Sequence, residues 1–303
     1  MAADRVAVLL MAYGGPDRLA DVEPYLLDVR GGRPTKPELV EEIRARYAKI
    51  GGRSPLRDLT EAQAGGLARA LGPRFPTYVG MRHWHPYIKD TVERIVAEGR
   101  HRLVGIAMAP HYSSMSVAAY ENRLLEAAGG RLDIAVVRRW GDHPKFLDAV
   151  AARVREARAR FPVPERVQVL FTAHSLPERI LANGDPYPDE LRASARAVAA
   201  RVGLATWQFA FQSAGATPEP WLGPEAGSEI ERLAAAGHDA LLVVPIGFVC
   251  DHVEVLFDVD IEFQALARRL GVRLERTRSL NDDPMLISTL EDLVHRAVAE
   301  RGW

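Results

Sequence analysis

The stretch Leu241–Leu270, LLVVPIGFVCDHVEVLFDVDIEFQALARRL, is a buried-strand run, a stop at Pro245-Ile246-Gly247, and then a helical pattern that follows at once. A strand that feeds a helix in this way is the repeating unit of a parallel sheet covered by helices. With the helix begun at Asp251 and turning ~100° per residue, Asp251, Glu254, Asp258 and Glu262 fall within an arc of roughly 80°. Leu256, Val259, Phe263 and Leu266 form a separate apolar stripe suited to packing on the sheet. Like charges at i,i+4 repel by ~0.2–0.5 kcal/mol each on an exposed face. The acidic row, with His252 among it, reads either as a path for a divalent cation or as a solvated helix face.

Outward from this stretch, apolar and β-branched runs recur at Val6–Ala12, Thr77–Met81, Val104–Ala109, Ile134–Val137, Val167–Phe171, Trp207–Phe211, Ala240–Pro245 and Val272–Glu275. Helical patterns separate most of them. Strands that alternate with helices, several of them almost continuously hydrophobic, predict parallel sheets covered on both faces. Eight strands in 303 residues point to two α/β halves of four strands each. The divide is expected in RRWGDHPK, around Trp140–Lys145, where Gly141 and Pro144 break the periodicity. This gives domains of residues 1–143 and 144–303, with the last helix, Pro284–Arg301, free to pack on either half.

Four strand ends carry related punctuation: Tyr13-Gly14-Gly15-Pro16, Pro110-His111-Tyr112-Ser113, His174-Ser175-Leu176-Pro177 and Pro245-Ile246-Gly247-Phe248. Ligands of open α/β sheets lie outside the carboxyl ends of strands, so these are candidate site segments, and two such halves would face one cleft.

Composition removes several classes of function. A net charge of −1 and a pI near 6.8 give no polyanion-binding surface in bulk, so nucleic acid is not an expected partner. Cys250 is the single cysteine, which excludes an intrachain disulfide and a cluster held by four cysteines of one chain, and fits a reducing cytoplasm. The longest strongly apolar run, Ala240–Cys250, is short of the ~18 residues a spanning helix needs and contains Pro245 and Gly247. No transmembrane segment and no signal peptide are expected.

Gly14-Gly15 lacks the G-x-G-x-x-G spacing, and G-x-x-x-x-G-K-[ST] is absent, so both nucleotide loops are rejected. Tyr13 reads as a packed, hydrogen-bonded phenol or as a metal ligand at a strand end. His174, fixed by Ser175 and Pro177, could join a carboxylate of the acidic helix in a partial site for Fe²⁺, Zn²⁺ or Co²⁺, or remove protons; alone, it reads as structural. No HExxH or HxxEH motif supports a zinc hydrolase, and Ser175 lies outside any G-x-S-x-G. Arg30, Arg33, Arg46 and Arg53, with Tyr47 and Ser54, surround Gly31-Gly32 and Gly51-Gly52, where guanidinium groups could grip a ligand bearing several carboxylates.

Together these residues resemble the ferrochelatases, from about Val8 to the last helix. The segments that carry the resemblance are LLMAYGGP, RYAKIGGRSPL, YVGMRHWHPYI, MAPHYSSMSVAAYENR, FTAHSLPERI, GDPYPDEL, FQSAGATPEPWLGP and VPIGFVCDHVEVLFDVDIE. The resemblance implies two similar Rossmann-like domains around a porphyrin cleft and insertion of Fe²⁺ into a porphyrin in haem biosynthesis. By motif position, it makes His174 and Glu254 the iron-handling pair, and Tyr13 the ligand to iron in the porphyrin product. Arg30, Arg46, Tyr47, Ser54 and Tyr120 become tetrapyrrole contacts, and Asp258 and Glu262 an outer site for a second divalent ion. It also implies a soluble cytoplasmic monomer with no permanent cofactor and no iron–sulfur cluster, of the type that in many Gram-positive bacteria acts on coproporphyrin III rather than protoporphyrin IX. On this reading His174 and Glu254 share metal dehydration and proton removal, with the Glu254 pKa raised by burial or by its acidic neighbours. A sirohydrochlorin-type cobalt or iron chelatase and a non-catalytic haem carrier are the rival readings.

Overall fold

The computed structural model describes residues 5–215 and 217–303. The first half runs β1 (Val6–Ala12), α1 (Val22–Val29), α2 (Pro37–Lys49), α3 (Leu56–Leu71), β2 (Thr77–Met81), α4 (Ile88–Ala97), β3 (Arg102–Ala107), α5 (Val117–Ala128) and β4 (Asp133–Val137). The second runs α6 (Pro144–Arg158), β5 (Gln168–His174), α7 (Arg179–Ala182), α8 (Tyr187–Val202), β6 (Gln208–Gln212), α9 (Ala226–Ala235) and β7 (Ala240–Val244). It continues through a π-helix (Glu254–Phe263), α10 (Gln264–Leu270), β8 (Arg273–Arg276) and α11 (Pro284–Arg301).

Two four-stranded sheets have the orders β2-β1-β3-β4 and β6-β5-β7-β8, and every strand pair is parallel. The second order repeats the first. In each sheet the chain leaves the first strand to one side and returns on the other, so the crevice opens between β1 and β3 and between β5 and β7. The four punctuated strand ends of the sequence follow these four strands. All seven residues of the central strand β1 are buried, whereas the edge strands β4 and β8 are partly exposed. Covering helices account for this difference, because a central parallel strand is enclosed on both faces and both edges.

The main apolar core is continuous across the halves, joining Val8 and Val104 of the first sheet to Val169 and Val244 of the second through Trp140 and Phe146. α11 packs on both halves: on α3 and β4 of the first, covering that sheet, and on α6, which opens the second. No helix among the described residues is long and apolar enough to cross a membrane.

The decisive stretch departs from the expected helix in one respect. The helix starts at Glu254, and its first ten residues form a π-helix, with i→i+5 bonds. A wider turn advances less than 100° per residue, so residues four apart still share a ridge and Glu254, Asp258 and Glu262 stay in line. Asp251 leaves the row. It lies in the preceding loop, where its carboxylate accepts from Ser279 Oγ at 2.7 Å and Asn281 Nδ2 at 3.0 Å, and sits 3.2 Å from Arg276 Nη2. The wider turn also moves the apolar stripe: Val255, Val259 and Phe263 are buried, and Leu256 is only partly so.

Candidate active site

The carboxyl ends of β5 and β7 bring the two residues of greatest chemical interest together. His174 is the last residue of β5 and Glu254 the first of the π-helix. The His174 Nδ1 lies 2.8 Å from Glu254 Oε2. The loop from β7 reaches this position by crossing closely over β5, since a Cβ on Gly247 would sit 2.6 Å from that of Ala173. Neighbouring groups fix both partners: Tyr187 donates its hydroxyl to the His174 carbonyl at 3.0 Å, and Gln212 Nε2 donates to the Glu254 carbonyl at 2.8 Å.

Burial by itself lowers the His174 pKa, but the charge of Glu254 and its hydrogen bond, with Asp258 behind, push it above its usual value. Burial likewise raises the Glu254 carboxyl, and the His174 charge and hydrogen bond, with His252, overcome it and hold the carboxyl well below its usual range. This reverses the raised Glu254 pKa expected from the sequence, because an adjacent imidazolium outweighs both burial and acidic neighbours. The raised carboxyl is instead Asp258, one turn on. Burial, with the charges of Glu254 and Glu262, brings it to about 6, against the Ser213 hydrogen bond and the Arg46 charge. The Ser213 hydroxyl donates to the Asp258 carboxylate from a residue with φ of 59°.

The opposite wall belongs to the first half. Tyr13 follows β1, with its ring 4.7 Å from that of His83 between centroids, and His83 Nδ1 lies 2.7 Å from Asp28 Oδ1. The Arg82 guanidinium lies 5.9 Å from the Tyr13 ring centre and 5.7 Å from that of Tyr120. Withdrawal from water raises the Tyr13 phenol pKa, while Arg82 lowers it. Behind this wall the Ser54 side chain presses on the backbone at Gly15, where a Cβ would meet Ser54 Oγ at 2.6 Å and the Tyr47 hydroxyl at 3.5 Å. The charge of Glu254 raises the phenol pKa of Tyr13, Tyr47 and Tyr120, so groups of both halves act on one space.

Residues 5–298 match the family model for ferrochelatases. A ferrochelatase of Herpetosiphon aurantiacus is 46% identical, over 96% of this chain and 98% of its own. The chain belongs to the ferrochelatase family. A coproporphyrin III ferrochelatase of Geobacillus kaustophilus is 40% identical over 100% of this chain and 99% of its own. Among solved structures, SirB from Bacillus subtilis with Fe3+ has a TM-score of 0.62 at 13% identity, covering 98% of this chain and 97% of that one. That likeness is one of fold.

Within this ferrochelatase framework the structure gathers His174, Glu254, Asp258, Tyr13, Tyr47, Ser54 and Tyr120 around the cleft. Arg46 reaches it from α2, with Nη1 3.8 Å from Asp258 Oδ1 and the guanidinium 5.1 Å from the Phe257 ring centre. Glu262 is exposed at the outer end of the row, and no group of three His, Cys, Asp or Glu residues is assembled to hold a metal among the described residues. The arginine cluster does not converge. Arg53 Nη2 pairs with Asp58 at 2.5 Å and Arg33 Nε donates to the Arg30 carbonyl at 3.1 Å, whereas the exposed Arg30 side chain makes no hydrogen bond or ion pair among the described residues. Residues near in sequence here point to different sides of their loops. Sequence reasoning missed Asp28, Arg82, His83, Gln212 and Ser213 as members of the site. Arg82 and His83 follow β2 directly, so the strand-end rule that found Tyr13 could have found them.

Proposed function

We propose that this ferrochelatase-family enzyme of haem biosynthesis inserts Fe²⁺ into coproporphyrin III, in the cytoplasm, as a monomer with no permanent cofactor and no iron–sulfur cluster. The observation that carries the reaction is the His174–Glu254 pair at 2.8 Å, set against a wall of Tyr13, Arg82 and Tyr120. Metallation requires Fe²⁺ to lose water and two pyrrole N–H protons to leave the ring. Glu254, held as a carboxylate, is an anionic ligand for the incoming ion. His174 donates through Nδ1 to Glu254, and its other ring nitrogen makes no hydrogen bond to the described protein, leaving it free for metal or proton once the imidazolium has deprotonated. The arriving divalent charge promotes that deprotonation by lowering the imidazole pKa. Asp258, near 6, takes up and passes on protons close to neutral pH, and the exposed Glu262 links the row to solvent. Arg30, Arg46 and Ser54 hold the peripheral carboxylates, and the Tyr13 phenol faces the metallated ring as a ligand to its iron. Asp258 and Glu262 form the outer cation site.

Relatives named as coproporphyrin III ferrochelatases, together with Arg30, whose side chain has no partner among the described residues, support the choice of porphyrin. The single buried Cys250 supports the absence of a cluster. A carrier without catalysis would have no use for the intact His174–Glu254 pair. Anaerobic incubation with Fe²⁺ and either porphyrin tests the proposal: kcat/KM should favour coproporphyrin III by at least about tenfold, ~1.4 kcal/mol. A preference for protoporphyrin IX overturns the substrate, and no metallation of either overturns the reaction.

A further inference from the structure

In GDPYPDEL, residues 184–191, Tyr187 holds the His174 carbonyl, but Asp185 has no part in the chemistry above and lies between the two walls. Asp185 is buried, with 9% of the residue exposed. It accepts from Ser113 Oγ at 3.0 Å, Ser114 N–H at 2.7 Å, Ser114 Oγ at 2.7 Å and Tyr187 N–H at 3.1 Å. The first three donors belong to the loop after β3 in the first half, and the fourth opens α8 in the second. Each side leads to the site in one or two steps. The loop after β3 runs into α5, which carries Tyr120, and the Met115 carbonyl accepts from Arg82 Nη1 at 3.4 Å. On the other side, the Tyr187 hydroxyl holds the His174 carbonyl. Two further contacts continue the seam along α8, Glu190 Oε2 accepting from Tyr112 N–H at 2.8 Å and His111 Nε2 lying 2.9 Å from Ser194 Oγ.

We propose that Asp185 is a positioning residue that fixes the separation between the Tyr13–Arg82–Tyr120 wall and the His174–Glu254 wall. The inference rests on the metallation reading, in which a porphyrin gripped by one wall is presented to metal and proton groups on the other. A carboxylate suits the junction because both of its oxygens only accept: Oδ2 takes the Ser113 and Ser114 donors and Oδ1 the Tyr187 N–H, whereas an amide with its oxygen turned to the serines would set its own N–H against that of Tyr187. Geometry of this kind acts on the rate, since a misplacement of ~1 Å can cost about a hundredfold.

In the full-length protein, Asp185→Asn should lower kcat at least about tenfold with Fe²⁺ and coproporphyrin III, while the KM for Fe²⁺ and the porphyrin Kd from fluorescence quenching stay within about threefold. Tyr187→Phe, which cuts only the link to His174, should lower kcat in the same sense, and the double variant should lose no more than the worse single variant. If Asp185→Asn does not fold, Ser114→Ala replaces it, with the same split expected at about threefold. Wild-type protein without metallation overturns both readings. Active wild type with an unchanged variant kcat, or with a kcat loss that vanishes when scaled to the folded fraction, or with kcat and porphyrin binding falling together, overturns the positioning role alone.

Discussion

Arg46, on a helix of the first half, places its guanidinium 3.8 Å from the Asp258 carboxylate on the π-helix of the second. The contact opposes the burial that brings Asp258 to about 6. Its removal therefore raises the Asp258 pKa further, leaving more of the carboxyl protonated at a given pH. In Arg46→Gln, at saturating porphyrin, the pH below which the KM for metal climbs should move upward. An acid limb that stays where it is in wild type would show that Arg46 does not act on Asp258.

His174→Ala should abolish metal insertion while porphyrin affinity stays within about tenfold, ~1.4 kcal/mol, because arginines and aromatic rings hold the ligand. Near-wild-type turnover removes His174 from the mechanism. In Glu254→Gln the main counter-charge is gone and burial, the largest influence on the imidazole, is opposed only by Asp258, so the His174 pKa should fall below its ordinary value, as followed by NMR of labelled histidine. Turnover should fall with it. Asp258→Asn and Glu262→Gln should act mainly on the KM for metal, and an equal loss of kcat in all of these variants would erase the distinction between inner and outer groups.

Arg30 is the arginine of its cluster with no hydrogen bond or ion pair to spend among the described residues. A charge-assisted bond from it to a propionate should contribute ~1.5–3 kcal/mol when well placed. Arg30→Ala should accordingly reduce the preference for coproporphyrin III more than it lowers turnover of protoporphyrin IX. Parallel losses on the two porphyrins would mean that Arg30 does not read the additional carboxylates.

Gly247→Ala introduces a methyl group 2.6 Å from the Ala173 Cβ and 3.0 Å from its Cα, which can give only if the β5 backbone moves. Overpacking of this kind costs ~1–3 kcal/mol, and it falls next to His174. The denaturation midpoint should drop, and activity should drop further than the loss of folded protein accounts for. An unchanged midpoint would show that the β7 loop can lift away from β5 freely.

The fold was legible because a parallel sheet writes itself into composition. Val6–Ala12 and Thr77–Met81 are strands over the residues their apolar runs predict, and the less buried β4 still carries Ile134, Val136 and Val137, whereas β8, RLER, shows itself only through Leu274 and the adjoining Val272. The site was legible where a side chain follows a strand end, as for Tyr13 and His174. What stayed hidden depends on contacts remote in sequence. Asp251 is claimed by Ser279, Asn281 and Arg276, which the helical period could not reveal. The π register is a property of backbone hydrogen bonding, to which the apolar pattern answers only through the exchange of Leu256 for Val255. Arg53 looked like a ligand contact until Asp58, five residues away, took its guanidinium. The depressed Glu254 carboxyl likewise needed the 2.8 Å separation from His174, which sequence does not supply.

The placement of α11 on the first sheet has a consequence for biosynthesis. The apolar surface formed by α3 and β4 leaves the ribosome early, and the helix that covers it is translated only after β5 to β8. At roughly 5–20 residues per second, that surface waits on the order of ten seconds for its cover. During synthesis the first sheet thus lacks part of its cover, and apolar surface exposed in this way is prone to aggregate. Ribosome-stalled chains ending before Pro284 should show a protease-sensitive first half that becomes resistant once α11 has emerged; early resistance would mean that the first sheet closes without its distant helix.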